Sequence, residues 1–244
     1  PAAIPAAALP TAVSAAAPGA ADASPMSLAQ AITYVWMAQA LLALTPWGAD
    51  PDIAQAVRTG SVAYDRLRPV DTYWLWYVRS GAWMVSRAAP RAALMLLAAG
   101  LALPLLGLSD WAWGPPTDLT AAAFFAVSLL LAVALSSAML MLVNLVVAAT
   151  LTDRGAVTLY NPLVIVLSGN LLPLALYPDW AQTALLMQPF AGMLDIPLRL
   201  YVGQLSGAWA WAGLGLQVFW TLVLILVGRA ALTRVMTRLD VQGG

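Results

Sequence analysis

Apolar residues fill several long stretches of this chain, and the charged residues lie between them. A helix needs about 20 apolar residues to cross the hydrocarbon layer of a membrane. Five stretches approach or exceed that length, and they run from Leu28 to Trp47, Ala92 to Leu108, Leu119 to Leu151, Val157 to Leu176 and Ala208 to Gly228. We therefore predict five transmembrane helices, of which the third is long enough to tilt, bend or extend beyond the bilayer.

The composition agrees with this interpretation, since 62% of the residues are hydrophobic, 9% are charged and the mean hydropathy is +0.82. In lipid, backbone polar groups are satisfied only in helices or in a closed barrel. Runs such as Ala121 to Leu135 do not alternate with period two, which excludes barrel strands there. The predicted fold class is all-α, a polytopic bundle of transmembrane helices in which residues 26–244 form one domain.

The chain contains no histidine, cysteine, lysine or glutamate, so every acid is aspartate and every base is arginine. This set offers no zinc site, no cysteine nucleophile and no Ser–His pair. The aspartates are scattered among the loops. We therefore assign no catalytic residue and no metal ligand, and the hydrolase class is disfavoured.

Arginines cluster on one side of the predicted membrane. Six of them lie in the loop from Gly48 to Arg91, and the others on this side are Arg154, Arg229, Arg234 and Arg238. Short cytoplasmic loops carry the excess of positive charge, so this side is predicted to be cytoplasmic, together with the C-terminus. The opposite, outer side then holds the segment from Tyr177 to Gly207.

The first 25 residues do not form a convincing span. The stretch from Pro1 to Ala20 is uncharged but carries Pro1, Pro5, Pro10 and Pro18, and a proline inside a helix costs about 3 kcal/mol. They also lack the basic region of a signal peptide, and the first methionine is Met26. We expect the end of a truncated or poorly defined first span, followed by an outer loop.

The large basic loop mixes acids with its arginines. Ile53 to Val57 is predicted to form a short helix capped by Asp50 or Asp52, which Gly60 can end. Pro69 then forces the preceding residue out of helical geometry. The aromatic stretch that follows, Tyr73 to Trp83, is predicted to form a helix in the inner membrane interface. The alternative is an ordinary basic loop that only sets the topology.

Two separated motifs carry a resemblance to a known family. The first is RTGSVAYDRLRPVD, from Arg58 to Asp71, and the second is SGNLLPLALYPDW, from Ser168 to Trp180. Gln188-Pro189-Phe190 and Tyr201-Val202-Gly203 follow the second motif. Together they resemble ABC-type export permeases of the second type, closest to the viologen-exporter-like and antibiotic-export subgroup. The resemblance extends from Ser27 to the C-terminus.

The resemblance implies a six-span permease of the bacterial plasma membrane that forms a dimer with the same or a related chain. It implies two separate ATPase subunits, which would bind ATP and Mg²⁺, so that this chain needs no cofactor. The chain has no lysine and hence no phosphate-binding loop of its own. Membrane lipids are the other implied partner, and nucleic acid is not expected.

In such permeases a coupling helix in this loop docks into the ATPase, which here corresponds to about Asp52 to Asp71. Ile53 and Val57 are the expected apolar anchors. The remaining expected contacts are Arg58, Asp65, Arg66, Leu67, Arg68, Pro69 and Asp71.

The second motif interrupts an apolar helix with small and polar residues. Such a break is tolerated in a membrane only where protein or water satisfies the freed backbone groups. We hypothesise an outer gate that lines the exit path; its residues are Ser168, Gly169, Asn170, Pro173, Asp179, Asp195 and Arg199. The alternative is a local kink with an exposed Asp195–Arg199 ion pair at i, i+4.

Three polar residues lie within the long third span, namely Ser136, Ser137 and Asn144. They would face either a pore or a neighbouring helix, and routine hydrogen bonding between helices is the favoured interpretation.

Two other functions remain open from the sequence, a secondary transporter and a membrane scaffold. The first is weakened because no span carries an ionisable group for ion coupling.

Overall fold

The computed structural model describes residues 25–61, 64, 69–152 and 154–242, without the side chains of residues 156 and 236–242. Eight helices organise this part of the chain. They are α1 (Leu28–Leu41), α2 (Pro51–Arg58), α3 (Thr72–Leu97), α4 (Leu119–Thr150), α5 (Arg154–Leu167), α6 (Asp179–Met187), α7 (Asp195–Tyr201) and α8 (Gly207–Gln242). The described residues form no β-strand, so the prediction of an all-helical polytopic bundle is confirmed. The predicted remnant of a first span and its outer loop were placed in residues 1–25, of which 1–24 lie outside this part.

Three helices are long and apolar enough to cross a membrane, and they cover Thr72–Leu105, Leu119–Thr150 and Gly207–Val235. The first of these is α3 continued by a π-helical turn at Ala98–Ala102 and a last turn at Leu103–Leu105. Two shorter apolar helical segments, Leu28–Leu44 and Val157–Leu167, correspond to the other predicted spans.

Helix α3 corrects one boundary of the sequence prediction. The span was predicted to start at Ala92, after a separate helix lying in the membrane interface, but one helix starts at Thr72 and continues through both regions. Its buried residues follow helical spacing, and they are Tyr73, Trp76, Ser80, Gly81, Met84 and Ala88. This stripe packs against the bundle, so the aromatic stretch is held by other helices rather than by the membrane surface.

Helix α5 is shorter than predicted. The apolar stretch from Val157 to Leu176 is not one helix, because α5 ends at Leu167 and a single 3₁₀ turn follows at Leu174–Leu176. Gly169 between them has a φ of +83°, which an α-helix does not contain. The interruption that the small and polar residues indicated is therefore present.

Helix α4 is the centre of the bundle and packs against α8, α3, α7 and α2. Its first residue lies near the loop after α7, and its last turn lies near α2. We call these the far end and the α2 end of the bundle. Helix α1 also runs from the far end to the α2 end, where a turn leads into α2. Ser27 caps the start of α1, and Ser27 and Gln30 exchange hydrogen bonds there. The bundle thus places two groups of polar residues at opposite ends.

Candidate functional sites at the two ends of the bundle

Helix α2 begins and ends as the sequence predicts. The carboxylate of Asp50 accepts hydrogen bonds from the backbone amides of Asp52, at 3.0 Å, and Ile53, at 3.4 Å. Pro51 occupies the first turn, where no amide donor is required. Gly60, with a φ of +74°, follows the last turn. These two signals fix a helix of eight residues at the α2 end.

The apolar face of α2 is turned into the permease itself. Ile53 is 1% exposed and Val57 is 7% exposed, and both belong to a buried cluster with Tyr73, Trp76 and Leu140. The sequence interpretation made Ile53 and Val57 anchors for another protein. In the structure both side chains lie against α3 and α4, because an amphipathic helix buries its apolar stripe on the nearest apolar surface.

The opposite face of α2 and the turn after it are exposed to solvent. This surface consists of Pro51, Asp52, Gln55, Arg58, Thr59, Gly60 and Ser61. Its side chains are mostly polar, and they leave room for a partner protein. We call it the α2 surface.

Asn144 fastens the start of α2 to the middle of the bundle. Its carboxamide oxygen accepts a hydrogen bond from the backbone amide of Asp50 at 2.9 Å, and its Nδ2 donates to Ser80 Oγ at 3.1 Å. Asn144 is fully buried, so it lines no pore in this structure. Among the other polar residues of α4, Ser137 donates to the carbonyl of Val133, and buried Ser136 Oγ has no partner within the described part of the chain.

Charged side chains add further links at this end. Arg79 in α3 pairs with Asp52, and the Nε of Arg58 donates to the carbonyl oxygen of Leu151 at 3.3 Å, just beyond α4. Asp71 caps α3 by accepting from the amide of Trp74. Helix α2 is therefore connected to both α3 and α4 by polar contacts as well as by packing.

Asp71 also pairs with Arg229 of α8 at 2.9 Å, so its carboxylate is already engaged inside the permease. Arg229 lies over the rings of Tyr73 and Trp74, at 5.7 and 5.9 Å from their centres. Of the other expected contacts, Pro69 lies just before α3. Asp65, Arg66, Leu67 and Arg68 lie outside the described residues.

At the far end, Tyr34 joins three segments of the chain. Its hydroxyl lies 2.8 Å from Asp195 Oδ1 in α7 and 3.0 Å from the carbonyl oxygen of Gly169, and its proton is shared between these acceptors. The amide of Leu174 donates to the same Asp195 oxygen at 3.0 Å. Asp195 and Tyr34 are both buried. Burial raises the pKa of the Asp195 carboxyl, whereas Arg199 and these two hydrogen bonds act to lower it.

Gly169 has a specific reason to be glycine. Its φ of +83° lies in the left-handed region, and a Cβ placed there would overlap the Tyr34 hydroxyl and approach the Asp195 side chain at 2.9 Å. The break after α5 is therefore a close-packed junction with α1 and α7.

The Asp195–Arg199 pair is buried, which corrects the alternative of an exposed ion pair. Arg199 Nη1 lies 3.7 Å from Asp195 Oδ2, with the two side chains 11% and 0% exposed.

The remaining residues of the proposed outer gate are less closely joined. Ser168 and Pro173 are buried near the junction, Asn170 is half-buried, and Asp179 is exposed at the start of α6, where it accepts from Gln182.

Sequence reasoning missed two residues that organise these ends. Tyr34 looks like an ordinary aromatic residue of an apolar helix, and no local pattern marks it. Gln217 of α8 bonds to Ser128 in both directions and donates to the carbonyl of Gly192 at 2.7 Å. The signal that could have found Gln217 is its amide, because an amide within an apolar helix indicates a hydrogen-bond partner on a neighbouring helix.

The amino-acid sequence matches a known family of membrane proteins. A family model described as ABC-2 family transporter protein matches residues 25–243, nearly the whole chain. The chain belongs to the ABC-2 transporter family. Searches of curated proteins and of solved structures gave no match. As an ABC-2 permease it is a multi-pass membrane subunit without an ATP-binding site of its own, and the family implies partnership with an ABC ATPase.

The described part of this ABC-2 permease contains contacts between helices rather than a cluster of metal-binding side chains. In the described residues no group of three or more potential metal ligands comes together. Both ends of the permease instead contain side chains that fasten helices to one another.

Proposed function

We propose that this ABC-2 permease forms the substrate pathway of an ATP-driven exporter in the bacterial plasma membrane. Two copies of a separate ATPase would bind ATP and Mg²⁺ at the cytoplasmic side, and the permease would pair with a second permease subunit, the same chain or a related one. The α2 end and the C-terminus would then be cytoplasmic, in agreement with the arginine distribution.

One observation carries this proposal: α2 has one face packed into the permease and the other face exposed. A partner that binds the α2 surface would push on a rigid element rather than on a loose loop. The apolar face transmits such a force to α3 and α4 through the cluster around Ile53 and Trp76. The bond from Asp50 to Asn144 adds a second connection, at the buried inner part of α4.

The docking surface is therefore assigned differently from the sequence interpretation. Ile53 and Val57 hold α2 on the permease, and Gln55 and Arg58 on the exposed face are the contacts for the ATPase. Arg66 and Arg68 follow α2 in the chain and remain proposed contacts. Coupling would consist of ATPase closure moving α2, with α3 and α4 following as packed helices.

The test uses the full chain in mild detergent, purified with whatever binds it from its native membrane. Mass spectrometry should identify an ATPase with a phosphate-binding loop, and the complex should hydrolyse ATP. Charge reversal at Arg66 and Arg68 should uncouple ATP hydrolysis from transport while membrane insertion stays intact.

Charge reversal at Asp110, which lies at the far end, is the matched control and should leave the complex unchanged. If no ATPase accompanies the chain under conditions that preserve other ABC complexes, the proposal is wrong. A normally bound ATPase with unchanged transport in the arginine variant would remove the coupling role of this segment.

A further inference from the structure

A polar pocket opens at the far end of the bundle, beside the junction of Tyr34 and Asp195 but not part of it. Its volume is about 310 Å³, enough for a small ligand or the head of a larger one. The start of α1, the turn after Pro173, α6, α7 and the loop after α7 all contribute. The lining residues are Pro25, Gln30, Ala175, Gln182, Arg199 and Gln204.

The lining of the pocket is polar and positively charged, although most of this protein is apolar. Within the described part of the chain, the lining contains one arginine, three carboxamide side chains and no acidic residue. Among the described residues, the acid that pairs with the guanidinium is Asp195, whose Oδ2 lies 3.7 Å from Arg199 Nη1, beyond hydrogen-bond distance. Asp195 Oδ1 already accepts from Tyr34 and from the amide of Leu174. The pocket therefore presents a cation that its neighbouring acid only partly neutralises.

Arg199 also has unused hydrogen-bond donors. Its Nε and Nη1 are buried, and neither finds a hydrogen-bond partner among the described residues. Buried polar atoms are nearly always paired. The group closest to Nη1 in this pair is the Asp195 carboxylate at 3.7 Å, so the chain holds the guanidinium only loosely and its charge can be shared with a ligand in the pocket. Gln204 Oε1 is a second buried atom without a partner in the described part of the chain.

Two of the carboxamides have donor capacity left as well. Gln30 donates one amide hydrogen to the carbonyl of Val202, and Gln204 donates one to the carbonyl of Pro25. A carboxamide carries two such hydrogens, so each retains one for a ligand. These donors lie around the same pocket as the guanidinium.

We propose that this pocket binds an oxyanion, either the phosphate headgroup of an anionic lipid or a free phosphate or carboxylate. The acidic oxygens would lie on Arg199, because a planar guanidinium matches these groups with two parallel hydrogen bonds. The second amide hydrogens of Gln30 and Gln204 would complete the shell. The inference does not depend on ATPase coupling, since the pocket is formed by this chain alone.

The experiment measures the thermal unfolding of the full chain by tryptophan fluorescence in nanodiscs of phosphatidylcholine. Inorganic phosphate is titrated against chloride at constant ionic strength, and the midpoint temperature is followed. Phosphate should raise the midpoint, because a ligand that binds only the folded state stabilises it. A parallel series uses nanodiscs that contain phosphatidylglycerol.

Two variants remove the site in different ways. Arg199→Gln removes the cation, and we expect the apparent affinity for phosphate to fall by about tenfold or more. Gln204→Glu leaves Arg199 in place but puts an acid of nearly the same shape at the pocket, so it should also abolish the phosphate response. Gln204→Glu keeps the test decisive if Arg199→Gln fails to fold. Arg154→Gln is the matched control, because it removes one positive charge at the α2 end.

The lipid series identifies the source of the oxyanion. If phosphatidylglycerol raises the midpoint of the wild type and added phosphate has no further effect, the ligand is a lipid headgroup. If the response to phosphate is the same in both lipids, the ligand is a free anion. The proposal is overturned if neither lipid nor phosphate changes the midpoint, or if folded Arg199→Gln and Gln204→Glu respond like the wild type.

Discussion

The carboxamide oxygen of Asn144 accepts a hydrogen bond from the backbone amide of Asp50, 2.9 Å away and 94 residues distant in sequence. Asp50 is the residue that caps α2, so this bond attaches the first turn of α2 to the central helix of the bundle. The same side chain donates to Ser80 of α3. One buried amide thus links the three helices that meet at the α2 end.

Replacing Asn144 by leucine should destabilise the permease by about 1–2 kcal/mol, because the amide of Asp50 loses its acceptor in a buried place. Chemical unfolding in mixed micelles measures this change. Ser136→Ala is the control, since its hydroxyl is buried about two turns away on the same helix and has no partner in the described residues. Its removal should be neutral or stabilising, and an equal loss in both variants would contradict the assigned role of Asn144.

The two faces of α2 should respond differently to substitution. Ile53→Ala removes a side chain that is 1% exposed, and it should reduce the free energy of unfolding by about 2–4 kcal/mol. Gln55→Ala on the exposed face should change that free energy by less than about 0.5 kcal/mol. Unfolding of the isolated permease tests both values.

Gln55→Ala should nevertheless weaken binding of the ATPase, measured by co-purification or by light scattering in detergent. A stable Ile53→Ala variant that had lost the ATPase would return Ile53 to the role of an external anchor. Normal ATPase binding by both variants would show that the α2 surface is not the docking surface.

Gly169→Ala should destabilise the far end by more than about 2 kcal/mol, since it combines a left-handed backbone with an overlap against Tyr34 and Asp195. Gly60→Ala is the matched control. Its φ of +74° is similar, but nothing lies within 4 Å of the added Cβ, so only the backbone strain of about 1–2 kcal/mol remains.

A double variant separates packing from backbone strain at this junction. Tyr34→Phe removes the hydroxyl that the new methyl group would meet, so Gly169→Ala should be less costly in that background. Strict additivity of the two free-energy changes would mean that the contact with Tyr34 is not the source of the cost.

The stability of the permease should fall as the pH rises above the ordinary aspartate pKa of 3.8, up to the raised value in the folded state. Burial raises the folded-state pKa of Asp195, so the folded state binds the proton more tightly than the unfolded state, and its stability decreases as the proton is released. Asp195→Asn should remove this contribution from the pH profile of thermal unfolding. An Asp195→Asn variant that kept the wild-type pH profile would contradict this assignment.

The sequence determined the fold class and the position of α2. Uncharged apolar runs of membrane length permit only helices, and Asp50 and Gly60 supply a start and a stop that act within a few residues. The break after α5 was also readable, because Ser168, Gly169 and Asn170 follow one another in an apolar stretch. These signals are local, so the chain alone carries them.

Helix α3 marks the limit of such local signals. Arg79, Arg87 and Arg91 made the stretch before Ala92 resemble a separate helix at the membrane interface. Tyr73, Trp76 and Met84 nevertheless already had the spacing of a buried helical stripe. Whether such a stripe lies on a membrane surface or on a neighbouring helix depends on what packs against it. Sequence periodicity does not contain that information.

Only the tertiary structure decided which way the functional side chains face. Ile53 and Val57 pack into the permease, and Asp195 and Arg199 form a buried pair beside a pocket. Tyr34 joined Asp195 across 161 residues of sequence. The physical reason is that the sequence fixes the residues available for burial and hydrogen bonding, whereas the packing of distant helices selects the partner that each one meets.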